Sequence, residues 1–339
     1  MLLLDYRYAT SGLVVLLSSI YYFYHLNMPS ISKIRLRNAA SLSAKQYIPT
    51  AIFVGGTSGI GEGMAVAFAN HTQGNAHIII VGRNRAAAET IISRFPKPSS
   101  PDAKHEFLHC DVAYMRNIRD ASSEIRSKIS KLNYLAMSPG FLTTSGRNET
   151  EEGLDKKLAV HYYARWMFTK ELVGLLEQAK EQGEDARMLS VLAAGAGGPI
   201  DVNDLGLKKT YSLKNAALQA PTYNDLMIEE FASRHPTLTF IHAIPGAVRT
   251  NLFASAQISA LAKKAMGIPI TLLGFLLTSK EDCGEYMLNG MLNVANGPGA
   301  WRIDSHGEDL AKKRYYGSDE ERKKLWVHTV EVTASKDLS

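Results

Sequence analysis

Residues 50–61 read Thr-Ala-Ile-Phe-Val-Gly-Gly-Thr-Ser-Gly-Ile-Gly, and the folding of this stretch decides the reading of the whole chain. Ala51 to Val54 is a short apolar run of strand length. The glycines from Gly55 to Gly61 supply a tight turn, and Met64, Val66, Ala67 and Phe68 follow with helical spacing. Strand, glycine turn and helix start together make a phosphate cradle. Glycines let backbone N–H groups come close to a diphosphate, and the positive end of the helix dipole favours its charge. A glycine motif alone is a weak signal; here a second apolar run, His77 to Val81, supplies the next strand of a strand–helix–strand unit. The competing reading is a tight turn without a ligand.

The rest of the chain sets bounds on this reading. Its 339 residues suit one large α/β domain with an appendage, or two small domains. A 45% apolar and 21% charged composition is that of a globular protein with a sizeable core. The net charge of +5 comes from scattered basic residues with no aromatic-interleaved stripe, which argues against nucleic acid and leaves an anionic cofactor or a lipid surface as its use. Cys110 and Cys283 are too few for a disulfide framework and have no metal-ligand spacing, so no metal site is expected.

Several landmarks fall in a recognisable order. Gly82-Arg83-Asn84 closes the second strand, and Phe107 to Asp111 forms a third, ending in Asp111-Val112. Leu132 to Met137 forms a fourth, followed by Ser138-Pro139-Gly140, and Phe240 to Ile244 leads into Pro245-Gly246-Ala247-Val248-Arg249-Thr250. With the Gly-x-x-x-Gly-x-Gly spacing, residues from about Thr50 to Leu252 resemble the short-chain dehydrogenase/reductase family. The resemblance implies a Rossmann fold, a doubly wound parallel sheet with helices on both faces. It also implies that Gly55, Thr57, Ser58, Gly59, Ile60, Gly61, Arg83, Asn84, Asp111, Val112, Ser138, Gly140, Pro245, Gly246, Val248 and Thr250 hold a dinucleotide. Arg83 stands where an acidic residue would accept the ribose hydroxyls of NAD. Its guanidinium fork suits a 2′-phosphate, which favours NADP(H), with a solvated surface charge as the alternative.

The catalytic half departs from the family pattern of a serine, a tyrosine and a lysine four residues after the tyrosine. His161, on a helix from Leu154 to Leu176, takes the place of the family's relay asparagine. Ala193, after a strand from Met188 to Leu192, stands at the serine position, and Ser190 lies earlier, inside the strand. Tyr211-Ser212-Leu213-Lys214-Asn215 is the nearest match to the tyrosine motif, with lysine at the third position instead of the fourth. On a helix either position neighbours the tyrosine, so Tyr211 is the expected proton donor and Lys214 its helper. Tyr223 is the other candidate, with Pro221 just before it and no lysine in the following turn. The two readings are an active NADP(H)-dependent oxidoreductase and a dinucleotide-binding sensor or scaffold that has lost its acid.

Both flanks of the expected domain (residues 49–296) carry further signals. From Ala9 to Leu26 there is no charged residue, and these 18 residues at ~1.5 Å each reach roughly 27 Å, a bilayer core. Residues 1–48 are therefore expected to be a membrane-anchor helix and linker, the alternative being a helix lying in the interface or packed on the domain. Lys33, Arg35, Arg37 and Lys45 follow the run and only Arg7 precedes it, which places the domain in the cytosol on the endoplasmic reticulum or a similar membrane. Residues 252–280 are mostly apolar and expected to cover a lipophilic small-molecule substrate. Residues 297–339 turn polar and read as a tail with one docked helix, started by Ser318 and Glu321 as a capping box and attached through Leu325, Trp326 and Val330. Anchor, tyrosine segment and final strand together resemble fungal short-chain dehydrogenases of secondary metabolism.

Overall fold

The computed structural model describes residues 29–250 and 277–334. The expected anchor helix at 9–26 and nearly all of the apolar cover at 252–280 lie outside the described residues. Among the described residues no helix is long and apolar enough to cross a membrane.

In chain order the elements are α1 (Ile31–Ser43), β1 (Thr50–Val54), α2 (Gly59–His71), β2 (His77–Gly82), α3 (Arg85–Ile92), β3 (His105–His109), α4 (Met115–Lys128) and β4 (Tyr134–Met137). Helix α5 then runs through Lys156–Leu158, a π turn at Ala159–Tyr163 and Ala164–Glu181. It is followed by β5 (Arg187–Val191), α6 (Leu213–Arg234), β6 (Thr239–Ala243), β7 (Val248–Arg249), β8 (Thr278–Ser279), α7 (Lys280–Asn289), β9 (Gly299–Ile303) and α8 (Asp319–Thr333).

Seven strands form one sheet in the order β3-β2-β1-β4-β5-β6-β9, with every neighbouring pair parallel. The expected doubly wound α/β fold is therefore present. The strand order reverses at β1, where Val54 stands beside Val81 on one side and Met137 on the other. In open α/β sheets the crevice at such a reversal, at the carboxyl ends of the strands, is where ligands bind. The glycine loop begins there.

Side chains alternate across the pleat, and both faces are covered. Ile52, Val54, Leu135, Met137, Met188 and Phe240 pack beneath α4, α5 and α6. Ala51, Phe53, Ile78, Ile80, Leu189 and Ile241 pack on the opposite side, with Ile34 of α1 and residues of α2, α3 and α7. Edge-to-face contacts tie Phe68 of α2 to Phe53 and Tyr134, with ring centroids 5.7 and 5.6 Å apart.

The sheet continues past residue 297. Strand β9 lies inside the segment whose polar composition set it apart as a tail, and it pairs with β6 from Thr239–Gly299 to Ala243–Ile303. That composition misleads because Arg302 is buried, its Nε donating to Asp225 Oδ1 at 3.0 Å. Helix α8 starts as expected. The Ser318 hydroxyl accepts from Glu321 N and donates to the Glu321 carboxylate. It docks through buried Leu325 and through Trp326, which meets Trp166 and Phe231 at 5.4 and 5.0 Å, whereas Val330 is 39% exposed. Leu325→Ala is expected to cost about 2–5 kcal/mol, the usual range for a buried leucine, measured by urea unfolding. A loss under about 0.5 kcal/mol would show that α8 is not part of the cooperative core.

Candidate active site

The glycine loop is shaped by close approach. Gly55 and Gly59 have φ of +80° and +59°, which side-chain-bearing residues rarely adopt. A Cβ on Gly61 would sit 2.5 Å from Ser138 Oγ and 2.6 Å from Gly55 O, and one on Gly55 would sit 2.8 Å from Pro139 N. Gly59 faces the Thr250 side chain, 3.3 Å from where its Cβ would lie, and Gly82 faces Thr57 in the same way at 2.8 Å. The loop, the end of β4, the end of β2 and the Pro-Gly turn thus converge. The first helical bond of α2 is Glu62 N to Ser58 O, and the Ser58 side chain makes no capping bond. The amides of Gly59, Ile60 and Gly61 lie ahead of that bond, at the end of a helix where an anion is favoured. This geometry fits a diphosphate.

Around the loop the sequence candidates take different roles. Arg83 is exposed at the end of β2 and, among the described residues, forms no ion pair. Asn84 lies beside it but caps α3, its Oδ1 accepting from Ala87 N at 3.0 Å, so that oxygen already has a structural partner. Asp111 Oδ1 accepts from Ala113 N and shapes the turn after β3, and Val112 packs against the core. Gly246 is left-handed (φ +71°), and Val248 starts the short β7 strand paired with β8. Gly140 borders His161, whose Nε2 would lie 3.8 Å from a Cβ placed there.

Behind the loop lies a buried polar layer. Arg165 of α5 is fully buried and donates to Pro139 O at 2.6 Å, to Met137 O and Ser190 Oγ at 3.4 Å, and to His161 O at 3.1 Å. Burial pulls its guanidinium down to about 9, which leaves it charged at neutral pH with carbonyl and hydroxyl oxygens as partners. Ser190 donates to Asn224 Oδ1, and Asn224 Nδ2 donates to His161 O, so the Ser190 hydroxyl is buried and satisfied.

A second cluster fixes the turn after β5. His242 Nε2 faces the N–H of Ala193 at 3.2 Å and must accept, so Nδ1 carries the hydrogen and donates to Asp225 Oδ1 at 2.6 Å. Burial, the largest influence, pushes the His242 pKa down despite the Asp225 carboxylate. Ala193, at the expected serine position, has no side-chain hydroxyl and contributes backbone groups alone, this N–H and a carbonyl that accepts from Ala196 N at 3.0 Å.

The tyrosine candidates separate clearly. Tyr223 is fully buried, its hydroxyl oxygen 2.7 Å from Gln219 Oε1 and 3.0 Å from Leu205 O, two acceptors for its one hydrogen, and burial raises its pKa; it is a structural residue. Tyr211 is half-buried and lies just ahead of α6, whose N-cap is Ser212. The expected helical pairing of Tyr211 with Lys214 is therefore not formed, because the tyrosine is outside the helix and Lys214 is exposed on its first turn. Instead Lys157 of α5 donates to the Tyr211 hydroxyl oxygen at 2.7 Å. Sequence reasoning missed Lys157 and Arg165. Both sit four residues from His161, a spacing that places them on its helix face and was the only available signal.

His161 itself stays neutral. Burial first, then the charges of Arg165 and Lys157, push its imidazole down to about 3. Unfolded histidine titrates near ~6.5, so between those values the unfolded chain binds the extra proton. The stability gained from a neutral ring is complete above about pH 6.5 and is lost as pH falls toward 3. Between pH 7 and 5 the wild type is expected to lose about 2 kcal/mol more than His161→Asn in urea unfolding. Equal losses would mean that the ring is open to water.

The family model described as short chain dehydrogenase matches residues 49–198. An oxidoreductase of Emericella nidulans is 37% identical over 229 residues, which cover 68% of this chain and 66%, just under two thirds, of that protein's length. Polyprenol dehydrogenase of Homo sapiens is 26% identical over 299 residues, covering 85% of this chain and 86% of that protein. The solved structure of 3-ketoacyl-(acyl-carrier-protein) reductase from Brucella melitensis matches with a TM-score of 0.54 at 18% identity, over 78% of this chain and 98% of that one, a likeness of fold alone. With the glycine loop at the strand reversal and the Pro-Gly turn closing on it, the chain belongs to the short-chain dehydrogenase/reductase family.

Proposed function

We propose that the chain is an NADP(H)-dependent oxidoreductase acting on a carbonyl or alcohol group of a lipophilic small molecule. The observation that carries this reading is the convergence of Gly55, Gly59 and Gly61 with Ser138 and Thr250 at the N-terminus of α2. Bound there, the dinucleotide supplies or accepts a hydride. The exposed guanidinium of Arg83 at the end of β2, which forms no ion pair among the described residues, supports the phosphorylated form. Tyr211 gives its hydroxyl proton to the substrate oxygen in reduction and takes it back in oxidation. His161, held neutral, lines the approach beside Gly140 and accepts from Phe141 N at 3.5 Å.

A lipophilic substrate is supported by the apolar run at 252–280 and by similarity to a protein named for polyprenol. The uncharged stretch at 9–26 supports a membrane-associated setting, with the domain on the cytosolic side. Similarity to an Emericella nidulans oxidoreductase supports oxidoreductase chemistry, and a role in fungal secondary metabolism rests on the resemblance of the sequence alone. Ala193, without a hydroxyl to polarise a carbonyl, favours the second reading, a protein that binds the dinucleotide without turnover.

Two measurements separate these readings. In fluorescence titrations Arg83→Ala is expected to weaken NADPH binding about 10–100-fold, the equivalent of ~1.5–3 kcal/mol for a charged hydrogen bond, and to leave NADH nearly unchanged. Equal effects on both would remove the case for NADP(H). With lipophilic ketones, Tyr211→Phe is expected to lower kcat at least ~100-fold at unchanged NADPH affinity. Wild-type turnover that survives this substitution would exclude Tyr211 as the acid, and NADPH binding without any wild-type turnover would favour the binding protein.

A further inference from the structure

We propose that Lys157, supplied by α5, is the positioning residue that serves Tyr211, in place of a lysine on the tyrosine's own helix; this rests on Tyr211 being the proton donor. Lys157 Nζ donates to Tyr211 Oη at 2.7 Å and to Ser145 O at 2.8 Å, and it stands 5.4 Å from the centre of the phenol ring. The backbone beneath it is held by Asp155, whose Oδ1 accepts from Lys157 N and Leu158 N and whose Oδ2 accepts from Asn148 N. The ammonium group is thus clamped between the start of α5 and the loop after β4.

The direction of the hydrogen bond gives the pair its chemistry. An ammonium has donors and no acceptor, so the phenol oxygen accepts from Lys157 and its own hydrogen points elsewhere. Among the described residues no protein acceptor takes that hydrogen. It is available to a substrate oxygen. In carbonyl reduction a dinucleotide held at the glycine loop would supply the hydride for the carbonyl carbon, and the step left to this chain's own residues is the proton. The Tyr211 O–H bond breaks, its proton goes to the substrate oxygen, and the electron pair stays on Oη. Lys157 then faces an anion across a charge-assisted hydrogen bond, stronger than the neutral one it replaces, so its contribution is larger after proton transfer than before. Solvent returns the proton to Tyr211 for the next turnover.

The test uses the full chain with NADPH and a lipophilic ketone. Lys157→Met is expected to lower kcat about 100-fold, the scale for loss of one donor to a developing anion, with KM and NADPH affinity within about threefold. Lys157→Arg, which keeps a charged donor, is expected to recover most of the loss, and Lys156→Met to behave as wild type. Wild-type kcat in Lys157→Met, a change confined to KM, or a loss that follows Lys214→Met instead overturns the proposal while leaving the oxidoreductase reading intact. If the wild type turns over no substrate, a crystal structure of the full chain decides the pair alone: Lys157 Nζ is expected within hydrogen-bond distance of Tyr211 Oη, and a separation beyond about 4 Å overturns the pairing.

Discussion

The structure depends on how closely the loop after β1 packs against the end of β4. Gly61 stands so near Gly55 O and Ser138 Oγ that no side chain fits, and Gly55 is equally tight against Pro139. This contact brings the N-terminus of α2 to the point where the strand order reverses, with β2 on one side and β4 on the other. The helix dipole and the leading amides of α2 then face the crevice instead of being spent on a side-chain cap. Three of the candidates for holding the dinucleotide are placed by such glycine contacts: Thr57 by Gly82, Ser138 by Gly61, Thr250 by Gly59.

Beneath the crevice the protein uses buried polar groups where an apolar core would be simpler. A buried arginine costs several kcal/mol in desolvation unless its donors are used. Arg165 meets this with four oxygen acceptors drawn from β4, the turn after it, β5 and its own helix. Among the described residues no carboxylate pairs with it, and its tie to Pro139 O fixes the same turn that the glycine loop packs against. On the other side, Asp225 is shared between Arg302 and His242, and His242 in turn holds the amide of Ala193. The two networks meet at α6, where Asn224 and Asp225 are adjacent. The turns after β4 and β5, which line the site, are therefore held by side chains rather than by secondary structure.

The departures from the family's catalytic pattern follow from the same arrangement. With alanine after β5, the backbone N–H of Ala193 is committed to His242. With Tyr211 outside α6, its hydroxyl is met not by Lys214 on that helix but by the Lys157 ammonium from α5. The α5 helix passes through a π turn at Ala159–Tyr163, directly between Lys157 and Arg165 and containing His161. Such turns re-aim the side chains of a helix, and they recur at functional sites.

What the residues themselves determined is the glycine loop at the end of β1 and the sheet. A glycine needing a left-handed backbone, an apolar strand of five residues and a helix of matching period are local requirements, written in neighbouring positions. Strand β9 escaped because its arginine looks solvated until Asp225, 77 positions away, is seen to bury it. Only the tertiary structure decided which lysine meets Tyr211, since Lys157 lies 54 residues earlier and on another helix. The reason is geometric. Periodicity orders side chains along one element, whereas a catalytic group is set by the distance between elements, and that distance exists only once the chain has packed.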